Sequence, residues 1–125
     1  MVDVPESSDT PWGQWLLNNS HCLATFKDNH LSAQFVRDWL HDHDHVEQAL
    51  QVIAEVANDQ QGIRLTIDVG MVDNLSSSVI AHLLRMAKSV NANRGKMQIV
   101  NCRPHVADTL NVVHLHELCE ISLKN

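Results

Sequence analysis

"IRLTIDVGMVDNLSSSVIAHLLRMAKSVNANRGKMQIVN", residues 63–101, is the stretch that decides the fold. Its first part, Ile63 to Val69, is short and rich in β-branched residues, which predicts a buried strand. Gly70 to Asn74 form a connection. From Ser76 the period changes. Val79, Ile80, Leu83, Leu84, Ala87 and Val90 recur at intervals of three and four, which places them on one face of a helix. "NANRG" closes that helix, with Gly95 in the usual stop position. "KMQIVN", residues 96–101, returns to a strand pattern. A strand, a helix and a second strand in close succession predict a parallel pair joined by a right-handed crossover.

The same alternation continues outward. Pro104 opens a helix, since its missing N–H costs nothing in the first turn, and Val106, Leu110 and Val113 give it an apolar side. "LCEISL", residues 118–123, reads as an edge strand. On the other side, "HCLATFKD", residues 21–28, reads as a strand with Cys22, Ala24 and Phe26 on one face. From Ser32 the spacing reads as helical, with Phe35, Val36, Trp39 and Leu40 on one stripe. A second stripe follows "HDHDH": Val46, Ala49, Leu50, Ile53, Val56 and Ala57. These are two helices or one bent helix, and "NDQQG" ends them with Gly62 as a cap. The expected order is strand, helix, strand, helix, strand, helix, strand. It predicts an α/β domain with a mostly parallel sheet packed with helices. Residues 1–15 read as a flexible tail and residues 16–125 as the domain. Trp12 and Trp15 are expected to pin the tail's end, an exposed partner-binding tryptophan being the alternative.

Composition limits the function. The chain has 125 residues, 44 % apolar and 19 % charged, which suits one core. Its formal charge of −6 lacks the basic footprint of a nucleic-acid binder. No apolar run is long enough to span a bilayer, and the acidic start does not resemble a secretion signal. A cytoplasmic location is expected. Cys22, Cys102 and Cys119 have no metal-ligand spacing and are expected to be reduced, mostly buried thiols.

Few residues offer chemistry. In "HDHDH", His41, His43 and His45 could chelate a cation, His41 and His45 standing one helical turn apart. The run lies in a polar stretch between two apolar stripes, so a solvated surface is the expectation, with no metal or cofactor assigned. His105, His114 and His116 surround the last helix and are expected at or near the surface. Asp68, at the end of the central strand, either belongs to a ligand site or bonds the loop that follows it. Neither a glycine-rich phosphate loop nor a nucleophile elbow is present, so no catalytic role is expected. The triplet Ser76, Ser77 and Ser78 remains. One hydroxyl can cap the helix, and the other two then occupy its first exposed positions. A phosphate placed there would sit beside the positive end of the helix dipole, which tolerates negative charge.

The stretch from Ile63 to Ile121 resembles the STAS family, the domain of anti-sigma factor antagonists. The family pattern is a strand ending in Asp, a short loop, and Asp-Ser-Ser or Asp-Ser-Thr opening a helix. Here the strand ends at Asp68, the loop is "GMVDNL", and "SSSVIAHLL" stands at the helix start. "RGKMQIVNCRPHVADTLNVVHLHELCEI" is similar to the family's glycine, strand, loop, proline-led helix and final strand. The resemblance implies a STAS-like fold with four to five strands. It places Ser77 on the family's phosphorylatable serine and Ser78 on the next hydroxyl, while Ser76 stands where the family commonly has Asp. Val79 and Ala81 replace small or glycine positions. The function implied is a non-catalytic interaction domain. It binds an anti-sigma factor that is also a serine kinase, is switched by phosphorylation, and is restored by a serine phosphatase. The implied docking centre is Asp73, Asn74, Ser76, Ser77 and Ser78, with His82 on a neighbouring face. A constitutive scaffold or signalling-complex subunit, self-associating through its sheet edge as a homodimer, is the alternative. No nucleic acid or membrane is implied as a partner.

Overall fold

The computed structural model describes residues 22–35 and 43–124. Strands β1 (Cys22–Lys27) and β2 (His30–Phe35) form a hairpin. Helix α1 (His43–Asp59) leads to β3 (Arg64–Asp68), and α2 (Ser77–Ala92) leads to β4 (Lys96–Cys102). Helix α3 (Pro104–Val112) and a 3-10 turn (Leu115–Glu117) lead to β5 (Glu120–Leu123). Among the described residues the sheet has five strands, in the order β1-β2-β3-β4-β5. Strands β2 to β5 are parallel and β1 is antiparallel. Each crossover moves one strand further in the same direction, and right-handed crossovers of that kind place their helices on one face of the sheet.

Strand residues therefore divide by parity. Leu31, Ala33, Phe35, Leu65, Ile67, Met97 and Ile99 are buried. They share one core with Ala49, Leu50 and Ile53 of α1, Leu83, Met86, Ala87 and Val90 of α2, and Val106 and Leu110 of α3. Between them, Ser32, Thr66 and Gln98 stand in register on the other face. Gln98 Nε2 donates to Thr66 Oγ1 at 3.0 Å, and His30 Nε2 lies 2.9 Å from the same hydroxyl. Among the described residues no helix is long and apolar enough to cross a membrane.

The helical expectation from Ser32 is corrected. Residues 32–35 belong to β2, and Phe35 is a strand residue with none of its surface exposed. The four residues fit either period, and the preceding turn decides between them. Asp28 and Asn29 have φ of 53° and 61°. Positive φ at both central positions marks a type I′ two-residue hairpin turn, and Asp and Asn tolerate it better than most residues. The chain is thus sent straight back, and Leu31, Ala33 and Phe35 alternate inward. Val36, Trp39 and Leu40 lie outside the described residues, as do Trp12 and Trp15. A smaller correction concerns "LCEISL": β5 begins at Glu120, and Leu118 and Cys119 close the preceding turn.

The stops after the helices differ from one another. Gly62, expected to cap α1, lies three residues past its end: it has φ of 74° within the turn that Ile63 N closes on Gln60 O at 3.3 Å, and its own N–H donates to Asn93 O at 2.7 Å. After α2 the left-handed residue is Arg94, with φ of 64°, and not Gly95. Gly95 is needed for a different reason. A Cβ there would lie 2.4 Å from the carbonyl oxygen of Ile63 and 3.0 Å from Val90 Cγ1. The absence of a side chain lets the end of α2 rest on the start of β3, where Lys96 N donates to Ile63 O at 2.8 Å.

Candidate protein-interaction site

The loop from β3 to α2 is built on Asp68. Its Oδ1 accepts from Gly70 N at 2.9 Å, and its Oδ2 accepts from Asn101 Nδ2 at 2.9 Å. Asp68 thus bonds the loop that follows it. Val69 N donates to Val100 O and Val72 N to Val69 O, so the chain turns tightly, with Val69 and Val72 both buried. Gly70 is buried, and its carbonyl accepts from Arg103 Nε at 3.2 Å and Lys124 Nζ at 3.3 Å. Arg103 also donates through Nη1 to Asp73 Oδ1 at 2.5 Å. His105 Nε2 bonds the carbonyl of Asp73 and lies 3.8 Å from its carboxylate. Two residues flanking Pro104 at the start of α3 therefore clamp the loop, and the Asp73 carboxylate takes a charge-assisted bond from Arg103.

The three serines have three different environments. Ser76 is the N-cap of α2, with extended backbone, and its Oγ accepts from Val79 N at 3.1 Å. That bond satisfies one of the unpaired donors of the first turn. Ser77 is exposed. Ser78 is half-buried and donates from its Oγ to Glu47 Oε2 on α1 at 2.8 Å. The expectation that both following serines stand open is corrected: the second is turned into the seam between α1 and α2. His82 belongs to that seam too, with its Nε2 3.4 Å from Glu47 Oε1. Further along, Ser89 Oγ bonds Asn58 Oδ1, and Asn93 Nδ2 donates to Asn58 O at 3.1 Å.

The surface around Ser77 is polar, and Met71 is the large apolar residue exposed in the loop before it. Asn74 is also exposed. The first turn of α2 carries no acidic residue, so its uncapped N–H groups face the site without a carboxylate of their own turn. Such an end accepts added negative charge more readily than a helix middle does.

Asp73, Asn74, Ser76 and Ser77 lie together along the loop and helix start, whereas Ser78 and His82 are drawn behind them by Glu47. Sequence reasoning did not identify Glu47, Arg103 or His105 as partners. They come from other elements, and no spacing joins them to the serines. His41 and the side chains of His43 and His45 lie outside the described residues. Cys102 is buried, and Cys119 is half-buried; both are free thiols. Burial, helped by the nearby Asp68 charge, pushes the Cys102 thiol up to about 11. Burial first, then Cys102 and Glu120, pushes Cys119 up to about 11 as well. Neither is a ready nucleophile at neutral pH.

The family model described as STAS domain matches residues 32–124. No curated protein matches the sequence significantly. Among solved structures the chain is similar to an anti-sigma-factor antagonist (STAS) domain protein from Planctomyces limnophilus. The two share 20 % identity over 83 % of this chain and 91 % of that one, with a TM-score of 0.66. It is also similar to a Thermotoga maritima protein, at 12 % identity over 82 % and 86 % of the two chains and a TM-score of 0.69. RsbS of Moorella thermoacetica, solved as a serine-to-glutamate variant, is 18 % identical over 82 % and 88 %, with a TM-score of 0.59.

Proposed function

The chain belongs to the STAS domain family, and from that premise we propose that it is a non-catalytic regulatory interaction domain of the anti-sigma factor antagonist kind. Its partner is an anti-sigma factor that is also a serine kinase. Ser77 is the hydroxyl the kinase modifies, and a serine phosphatase removes the phosphate. Asp73, Asn74, Ser76 and Ser77 form the docking centre, and Ser78 and His82 brace it through Glu47. The cytoplasm is the place such an exchange requires.

The observation that carries this reading is the division of labour among the serines. Ser76 is committed to the helix cap and Ser78 to Glu47, which leaves Ser77 exposed at a helix start. A phosphate on Ser77 would add roughly −1.5 to −2 of charge to that surface without entering the core. The docking face would change sign while the fold stays intact. Incubation of the protein with its cognate kinase and ATP, followed by mass spectrometry, tests this. The expected product carries one phosphate on Ser77, and Ser77→Ala binds the partner but does not respond to ATP. Failure to label Ser77, together with no binding by the unmodified protein, would overturn the reading.

A constitutive scaffold is the second reading. It is favoured by Ser76, which stands where the family commonly has Asp. It expects partner binding that is indifferent to substitution of Ser77.

A further inference from the structure

We propose that His114, His116 and Glu117 form a binding site for a divalent transition-metal ion of the zinc class, at the turn between α3 and β5. One ligand atom of each residue lies within 4.8 Å of the other two. Two imidazoles and one carboxylate suit zinc, nickel or copper(II), and suit magnesium or calcium poorly, since those prefer all-oxygen shells. In a tetrahedral site with metal–ligand bonds of roughly 2.0–2.1 Å, ligand atoms stand a little over 3 Å apart. The widest pair therefore needs to close by no more than about 1.5 Å, while His114 and Glu117 already stand 3.2 Å apart, and all three side chains are exposed.

The backbone beneath them is held in place. Leu115, between the two histidines, has none of its surface exposed and belongs to the core. His114 takes the left-handed conformation, with φ of 63°. Its N–H donates to Asn111 O, and its carbonyl accepts from Glu117 N at 3.1 Å. Leu118 N donates to Leu115 O, and Asn91 of α2 donates from its Nδ2 to Leu118 O at 2.9 Å. With Leu115 anchored inward, His114 and His116 project to the same side, their ring centroids 5.9 Å apart. His114 Nδ1 already lies 3.2 Å from Glu117 Oε2, the contact that an ion would enter and replace.

Such a site has somewhere to face. His116 and Glu117 also line a groove of about 410 Å³ that runs along the sheet by Arg64, Thr66, Lys96 and Gln98 and reaches Asn91 of α2. Three protein ligands leave coordination positions open to water or to an anionic group in that groove. This inference does not depend on the switch proposed for Ser77, which lies at the opposite end of α2.

Calorimetric titration of the full chain with zinc chloride in chelator-free buffer tests it. The background is the triple variant His41→Gln, His43→Gln, His45→Gln, which removes the other histidine run. That protein is expected to bind one zinc with a dissociation constant below about 100 μM. Adding His116→Gln, or His114→Asn to keep the left-handed backbone, should weaken binding by at least about tenfold. Cobalt titration should show a visible d–d band that disappears in the same variants. A weaker constant in the triple variant, or a smaller loss on replacing His114 and His116, would overturn the proposal. Circular dichroism and the melting temperature of each variant separate loss of ligands from loss of fold.

Discussion

Replacing Ser76 by Ala removes the hydroxyl that accepts from Val79 N. Loss of an N-cap of this kind costs about 1 kcal/mol, or a fall of about 4 °C in a domain of this size. Thermal unfolding followed at 222 nm reads it. Ser77 makes no such bond and is exposed, so Ser77→Ala should stay within about 0.5 kcal/mol of the parent. Ser78→Asp sets a carboxylate beside Glu47 in a half-buried seam, and should cost about 1–2 kcal/mol by like-charge contact and partial desolvation. Three adjacent serines are thus expected to give three distinct stability changes. The thiols offer a second check at the same scale. Because the folded-state pKa values of Cys102 and Cys119 are raised to about 11, their contribution to stability is whole below the unfolded thiol value. It is lost as pH climbs from there through 11. Denaturant midpoints measured from pH 8 to 11 should fall across that window, and a Cys102→Ala, Cys119→Ala double variant should show a shallower fall.

At the scale of elements, the junction of α2 and β4 separates two jobs that sequence reading assigns to one glycine. Gly95→Ala would press a methyl group against the Ile63 carbonyl and Val90. Backbone cannot yield as a flexible side chain can, so a loss of about 1–3 kcal/mol is expected. Arg94→Gly should gain about 0.4–1 kcal/mol, because Arg94 holds a left-handed conformation that suits glycine. Chemical denaturation of the two variants should move in opposite directions. The elements themselves were legible to different degrees. In residues 63–101 the period changes from strand to helix and back, and each change rests on local spacing. Residues 32–35 fit a helical period as well as a strand's, because four residues carry too little period to separate the two. The deciding signal was the Asp28-Asn29 pair, whose backbone preference is a matter of turn chemistry and not of apolar spacing.

For the whole molecule, the parallel order of β2 to β5 has one consequence that governs the site. The C-terminal ends of adjacent strands lie side by side, so the loops after β3 and β4 meet there. That is how Asp68 reaches Asn101 and Asp73 reaches Arg103. The serine triplet was readable because it is contiguous. Its supports were not, because Glu47, Arg103 and His105 are about thirty positions away, and only the closed sheet and packed helices bring them in. The same packing holds the helix start rigid while its outermost hydroxyl stays in solvent.

The proposed switch requires that the charge at Ser77 can be changed without disturbing the domain, and that the partner detects the change. It is tested by the affinity of Ser77→Asp for the anti-sigma kinase proposed as its partner, measured alongside the unmodified protein. A loss of at least about tenfold is expected, with a melting temperature within about 2 °C of the parent. Equal affinity of the two proteins would contradict it.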